Sequence, residues 1–256
     1  MDRIIYTAAN GLNRVVDAQS VISNNMANIS TTGFREQLSA YRAVPVTAEG
    51  GNPAATTRVL TSTVSMPGLF NEGPTIETGN PLDLRIQGQG WFVVRDTNGR
   101  EAYTRNGHFV LNNQGVLVDA QGRQVLAANG GLIDLADAAQ ISFDEKGGVN
   151  TVARGARPRD IQRTAQLKLV NPPLNQLVRG DDGLFRVVNA QGNEVIQPHD
   201  ESVRTLSKAL EGSNVSAADA MVKLIQNGRM FDMNSKIIEH VSANEQSANS
   251  ILSASN

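Results

Sequence analysis

Both ends of the chain carry apolar residues on an alternating step of four and three, and no other feature limits the possible folds as sharply. The C-terminal set runs through Ala220, Leu224, Asn227, Phe231, Asn234, Ile238, Val241, Glu245, Ala248 and Leu252. Seven of those ten positions are apolar, and no proline interrupts them. A heptad seam of this kind specifies one continuous helix with a stripe that must be covered. Asn214-Val215-Ser216 marks its start: Ser216 is the N-cap, Asp219 follows in the first turn, and Val215 is placed to staple the entry. The N-terminal set repeats the step through Ile5, Ala8, Leu12, Val15, Gln19, Ile22, Met26 and Ile29, with Gln19 its only polar member.

Two amphipathic helices over one ordinary core would satisfy a single stripe on each. Apolar residues also lie off both seams, at Ile4 and Val16 in front and at Met221, Val222, Ile225, Ile237 and Ile251 behind. A large apolar side chain gains about 1.5–3 kcal/mol only when removed from water. One antiparallel partner cannot cover faces that broad, so the surplus predicts further neighbours from other chains. Asn24, Asn25, Asn28, Asn227 and Asn234 lie on or beside the seams although Asn is a poor helix former. Either they line a solvated face, or their amides are buried and fix the register between helices.

The first helix is expected over residues 2 to about 30, stopped by Ser30-Thr31-Thr32-Gly33, with Gly33 at positive φ and Phe34 folding back on the last turn. Residues 36–80 read as extended arms and a hairpin, with Arg58–Val64 as a β segment and Gly50–Pro53 at a mobile tip. From 81 to 205 the pattern is β. Glycines at 99, 107, 115 and 122 punctuate short runs at Trp91–Val94, Ala102–Arg105, His108–Leu111, Val116–Val118 and Gln124–Leu126, which predicts a hairpin meander. Further strands are expected at Ile141–Phe143, Ala165–Val170, Leu184–Val188 and Glu194–Ile196, with Lys146–Arg159 as a surface loop. The fold class is therefore α+β. Residues 1–35 and 206–256 form a terminal helical domain, 36–80 a linker arm, and 81–205 a β domain.

Composition excludes several functions. The formal charge is −2 with scattered Lys and Arg, which argues against a nucleic-acid surface. No apolar run approaches the roughly eighteen residues of a membrane span. The N-terminus lacks the pattern of a secretory signal, and zero cysteine excludes disulfides and thiolate metal sites. The three histidines, His108, His199 and His240, have no metal-type spacing and read as surface or turn residues. Gly88-Gln89-Gly90 precedes a strand and reads as a tight turn into Trp91 rather than a phosphate loop. Arg179-Gly180-Asp181 matches an adhesion tripeptide but abuts Asp182-Gly183 and reads as a β-turn. Asp83 reads as an ion-pair or turn-capping residue, and Glu101 with Arg105 as a surface pair. No catalytic residue, cofactor site or metal site is predicted.

Three blocks carry a family likeness. Ser23-Asn24-Asn25-Met26-Ala27-Asn28-Ile29-Ser30-Thr31-Thr32-Gly33-Phe34-Arg35 resembles the N-terminal signature of the bacterial flagellar rod and hook proteins. Gly79-Asn80-Pro81-Leu82-Asp83-Leu84 through Gly90, and then Tyr103-Thr104-Arg105-Asn106-Gly107, resemble their centre. Leu210-Glu211-Gly212-Ser213-Asn214-Val215, Met221, Arg229 with Phe231, and Lys236-Ile237-Ile238 resemble their C-terminal block. The opening Met1–Ala8, Arg42-Ala43-Val44-Pro45-Val46, Gly90-Trp91 and Asp181–Arg186 are similar to proximal rod members rather than distal rod or hook members. Asp232-Met233-Asn234 departs mildly from the family pattern.

The resemblance implies terminal helices forming an inner tube, an extended brace and an outer β domain. It implies a structural subunit of the proximal rod, which transmits torque from motor to hook. Its neighbours would be copies of itself and other proximal and distal rod subunits, reached through the flagellar type III export apparatus without a cleaved signal, with no nucleic acid and no membrane insertion. The residues expected at subunit contacts are Ile5, Leu12, Val15, Ile22, Asn24, Asn25, Met26, Asn28, Ile29, Phe34, Leu224, Asn227, Phe231, Asn234, Ile238, Val241 and Leu252. The rival readings are a distal rod or hook-type subunit, a cell-wall hydrolase, and a secreted β-rich binding module. A hydrolase needs a carboxylate pair or metal cluster that the sequence does not display. A binding module leaves the two matching seams without purpose.

Overall fold

The computed structural model describes residues 2–45, 59–66, 70–157 and 159–254. The expected tip at Gly50–Pro53 lies outside the described residues. The chain divides into two compact units: Met1–Ala27, Gln37–Gly68 and Ser216–Asn256 in one, Asn28–Glu36 and Leu69–Val215 in the other.

The first unit is helical with one hairpin. Helix α1 spans Asp2–Ala27 and α2 spans Ala217–Ala254. The first helix stops short of the expected residue 30. Asn28 to Ser30 turn instead, with Thr31 N donating to Asn28 O at 3.1 Å and Thr31 Oγ1 to Asn28 Oδ1 at 3.1 Å. Short polar side chains that bond the nearby backbone and one another compete with helical propagation there. At the start of α2 the Asp219 amide donates to Ser216 Oγ at 3.3 Å, and the Asp219 carboxylate faces the positive end of the helix dipole. Strands Leu38–Pro45 and Val59–Met66 pair antiparallel in unbroken register, from Leu38 opposite Met66 to Pro45 opposite Val59. The second of them runs beside α1.

The second unit is all β. Its principal sheet is antiparallel, in the order Leu169–Val170, Trp91–Arg95, Glu101–Thr104, Phe185–Val187 and Leu177–Arg179. Trp91 to Val94 are buried at every position, since the sheet is covered on both faces. One face packs Phe92, Val94, Ala102, Phe109, Leu117 and Leu167. The other packs Trp91, Val93, Tyr103, Phe185 and Val187, with Trp91 and Phe185 ring centres 4.6 Å apart.

The meander is real up to Glu101–Thr104 but does not continue through Asn106-Gly107. Residues Phe109–Leu111 pair with Leu117–Asp119 in a separate ribbon. Gly107 accepts the Leu84 amide at 3.0 Å, and a Cβ at Gly107 would lie 1.8 Å from Leu84 O. That glycine is a close-approach residue, not a turn residue. The Ala165–Val170 run splits between two sheets, as Gln162–Gln166 and Leu169–Val170. Gln124–Leu126 and Glu194–Ile196 form only isolated bridges.

The expected loop at Lys146–Arg159 contains a strand, Gly148–Ala153, central in a three-stranded sheet. Asp144 makes this possible by accepting the Lys146 and Gly148 amides, at 2.9 Å and 2.6 Å, around a Gly147 with φ of 77°. The turn then delivers Val149 and Val152 to the core.

Candidate assembly interface

The two terminal helices run antiparallel. Asn227 bonds to Val15 and Gln19, whereas Asn234 lies beside Gly11, so residue numbers fall along α1 as they rise along α2. A Cβ on Gly11 would lie 3.3 Å from Asn234 Oδ1, which marks the closeness of the helices there. On α1, Ala8 and Val15 are buried and Ile5, Leu12, Ile22 and Met26 half-buried. On α2, Ala220, Asn227 and Val241 are buried and Leu224, Asn234 and Ile238 half-buried. Phe231 alone among the described seam side chains of α2 is exposed, at 41%. The side chain of Leu252 lies outside the described residues.

Away from the seam, α2 keeps a second apolar face in water. Met221, Val222, Ile225, Met233 and Ile237 are all more than two-fifths exposed. Tyr6 and Val16 do the same on α1.

The asparagines divide between the two possibilities. Asn227 is buried, and its Nδ2 donates to Val15 O and to Gln19 Oε1, both at 2.8 Å. The polar positions of the two seams therefore meet each other and pin one register. Asn227 Oδ1 is buried with no hydrogen-bond partner among the described residues. Asn25 is buried and exchanges two bonds with the Gln37 backbone, Nδ2 to O at 2.8 Å and N to Oδ1 at 2.9 Å, which closes the loop after α1. Asn24 is exposed, Asn28 and Ile29 are half-buried on the turn, and Asn234 bonds its own helix at Met230 O.

In the β unit, the segments that lead to the helices are laced together. Gly33 has φ of 70°, and a Cβ there would lie 2.4 Å from the Arg105–Asn106 peptide, so both its conformation and its surroundings require glycine. Its amide donates to Glu211 O at 2.8 Å. Phe34 is buried, with the Arg179 guanidinium 4.5 Å over its ring. Asn214 Oδ1 accepts the Glu36 amide at 2.7 Å.

Beneath this lacing is a buried ionic triad. Arg35 meets Glu211 Oε1 at 2.6 Å and Arg105 meets Oε2 at 3.2 Å, all three side chains being almost fully enclosed. Arg35 also donates to Asn71 O, Arg105 to Gly88 O, and the Gly73 amide to Glu211 Oε1. Burial, joined by the like charge of Arg35, lowers the Arg105 pKa to about 10 against the pull of Glu211.

This triad replaces the expected surface pair: Glu101 bonds Lys168 at 2.8 Å instead. No spacing rule joins residues 35, 105 and 211. The only signal was that each charge sits in a block that resembles the family. Asp83 does have its partners, His108 Nδ1 at 2.7 Å and Asn80 Nδ2 at 3.0 Å. Arg179 ends a strand and Gly180 to Gly183 form the expected turn, with the Gly183 amide donating to Gly180 O at 3.1 Å. Among the described residues no group of three or more His, Cys, Asp or Glu could hold a metal, and no helix is long and apolar enough to cross a membrane.

Comparison with known proteins matches this arrangement block by block. The family described as flagella basal body rod protein covers residues 5–35, the flagellar hook protein FlgE/F/G D1 domain 85–151, and the flagellar basal body rod FlgEFG protein C-terminal 206–251. The chain belongs to the flagellar basal-body rod protein family. Within it, the chain is 40% identical to the flagellar basal-body rod protein FlgF of Salmonella typhimurium over 258 residues, with the whole of both chains covered. FlgF of Escherichia coli is 38% identical over 259 residues, again covering both chains. The rod protein FlgG of Bacillus subtilis is 32% identical over 253 residues, covering 93% of this chain and 94% of its own. The chain is thus more similar to these FlgF relatives than to that FlgG.

Proposed function

We propose that the protein is a structural subunit of the flagellar proximal rod, built into a torque-transmitting shaft between motor and hook. The observation that carries this is the second apolar face of α2, still in water after α1 has filled the seam. A contact repeated by a rotation that does not close generates a helical stack, and such a face supplies one. On this reading the helices form the inner tube and the hairpin braces it. Copies of the chain and other proximal and distal rod subunits are its neighbours. The off-seam apolar side chains, with Phe231 and the partly covered Ile5, Leu12, Ile22 and Ile238, carry those contacts. The subunit works where the rod crosses the periplasm and is delivered by the flagellar type III export apparatus. Full-length FlgF relatives support the choice of proximal rod over distal rod or hook.

Deletion of residues 1–30 tests the proposal. A rod subunit so truncated is missing from purified basal bodies and the cells do not swim. Normal swimming without those residues overturns it.

A further inference from the structure

One cluster in the β unit buries more positive charge than it neutralises. Arg35 and Arg105 share the single carboxylate of Glu211, so that cluster remains one charge positive. Beside it, Arg179 enters a cleft of about 210 Å3 that Phe34, Arg35, Arg105 and Phe185 also line. Its guanidinium lies 4.5 Å over the Phe34 ring and 5.8 Å from the Phe185 ring centre, and Nη1 donates to Arg35 O at 3.3 Å. No carboxylate pairs with Arg179 among the described residues. The other charges in the cleft are committed: Arg123 bonds Asp119 at 2.6 Å, and Asp182 bonds Arg186 at 2.6 Å.

We infer that this cleft is a docking site for an acidic side chain of an adjoining rod subunit, with Arg179 as its receptor; the inference rests on the assembly reading above. The hydrogen bond to Arg35 O takes Nη1 and leaves part of the donor fork for a carboxylate. Burial without an opposite charge keeps the Arg179 pKa below the usual guanidinium range, so an incoming carboxylate relieves a cost the isolated chain already bears. The cleft's two uncompensated charges are both positive, which selects an anion. The chain itself, with 25 acidic residues against 23 basic, belongs to a class of subunit able to supply one.

The test compares full-length Arg179→Gln and Arg179→Lys for swimming and for recovery in purified basal bodies, with thermal unfolding of each purified protein alongside. Arg179→Gln is expected to unfold at the wild-type temperature yet reach basal bodies roughly tenfold less, with Arg179→Lys partly restoring recovery. Wild-type recovery of Arg179→Gln overturns the inference. If Arg179→Gln lowers the unfolding temperature, a photo-crosslinking residue in place of the exposed Gln121 on the cleft rim decides. A crosslink in intact basal bodies to an Asp- or Glu-containing segment of another axial subunit supports docking, and the absence of any intersubunit crosslink overturns it. Deletion of residues 1–30, run in parallel, separates the two readings. If the deletion stops swimming while Arg179→Gln is silent, only the cleft inference fails; if the deletion too is silent, the assembly reading fails with it.

Discussion

The helical unit and the β unit solve the burial problem differently. Phe92, Val94, Leu84 and Phe109 in the β unit have no exposed surface, and the buried acids Asp83, Asp119 and Glu211 each meet a basic partner. That unit also shows apolar side chains to water, Ile161 and Ile196 among them, but only after filling two cores. In the helical unit α1 and α2 cover one stripe of each other, and Met221, Ile225 and Met233 remain more than half exposed. The β unit fills its apolar cores within one chain, whereas the helical unit leaves an apolar face of α2 in water.

The sharpest way to break this contrast is the triad. Glu211→Gln leaves Arg35 and Arg105 buried against each other without a counter-charge, and should cost about 3–5 kcal/mol in urea unfolding of the β unit. A matched pair of aromatic truncations comes next. Phe92→Ala removes a fully buried ring and should cost about 3–5 kcal/mol. Phe231→Ala, at 41% exposure, should change the stability of the isolated protein by less than about 0.5 kcal/mol while reducing swimming. Equal effects of the two on isolated stability would erase the distinction between the units.

Asn227→Ala removes both bonds to α1 and should weaken the helix pair by about 1–2 kcal/mol, read as faster amide exchange near Val15 and Gln19 with the β unit unchanged. Ser216→Ala deletes the α2 cap and should cost about 1 kcal/mol, confined to fraying of the first turn. The smallest effect is pH-dependent. The hydrogen bond from Arg186 lowers the Asp182 pKa below its usual 3.8. Its contribution is therefore complete above that value and is lost as pH falls through the lower folded pKa. Asp182→Asn should remove that small stabilisation at neutral pH, flatten this part of the acid-unfolding curve, and match the wild type once pH is below the folded pKa.

Much of this was legible in the sequence because helices and turns are local. The four-three step predicted both helices, and the surplus off that step predicted the uncovered face of α2. Ser216 and Gly33 announced a cap and a turn through their own conformational preferences. The strand at Gly148–Ala153 was hidden because glycine and arginine around it read as loop, while the pairing that makes it a strand comes from Ala138–Phe143 and Gln162–Gln166.

What the sequence by itself determined, then, is that both ends are helical, which stripe each presents, and that the middle is β, since all of these follow from periodicity over a few residues. Only the tertiary structure decided which asparagines are buried, that Gly107 makes a close approach rather than a turn, and that Arg35, Arg105 and Glu211 form one cluster. Those outcomes depend on groups from 12 to 212 residues apart meeting in a low-dielectric interior, where one carboxylate holds two guanidinium groups and one amide fixes a helix register.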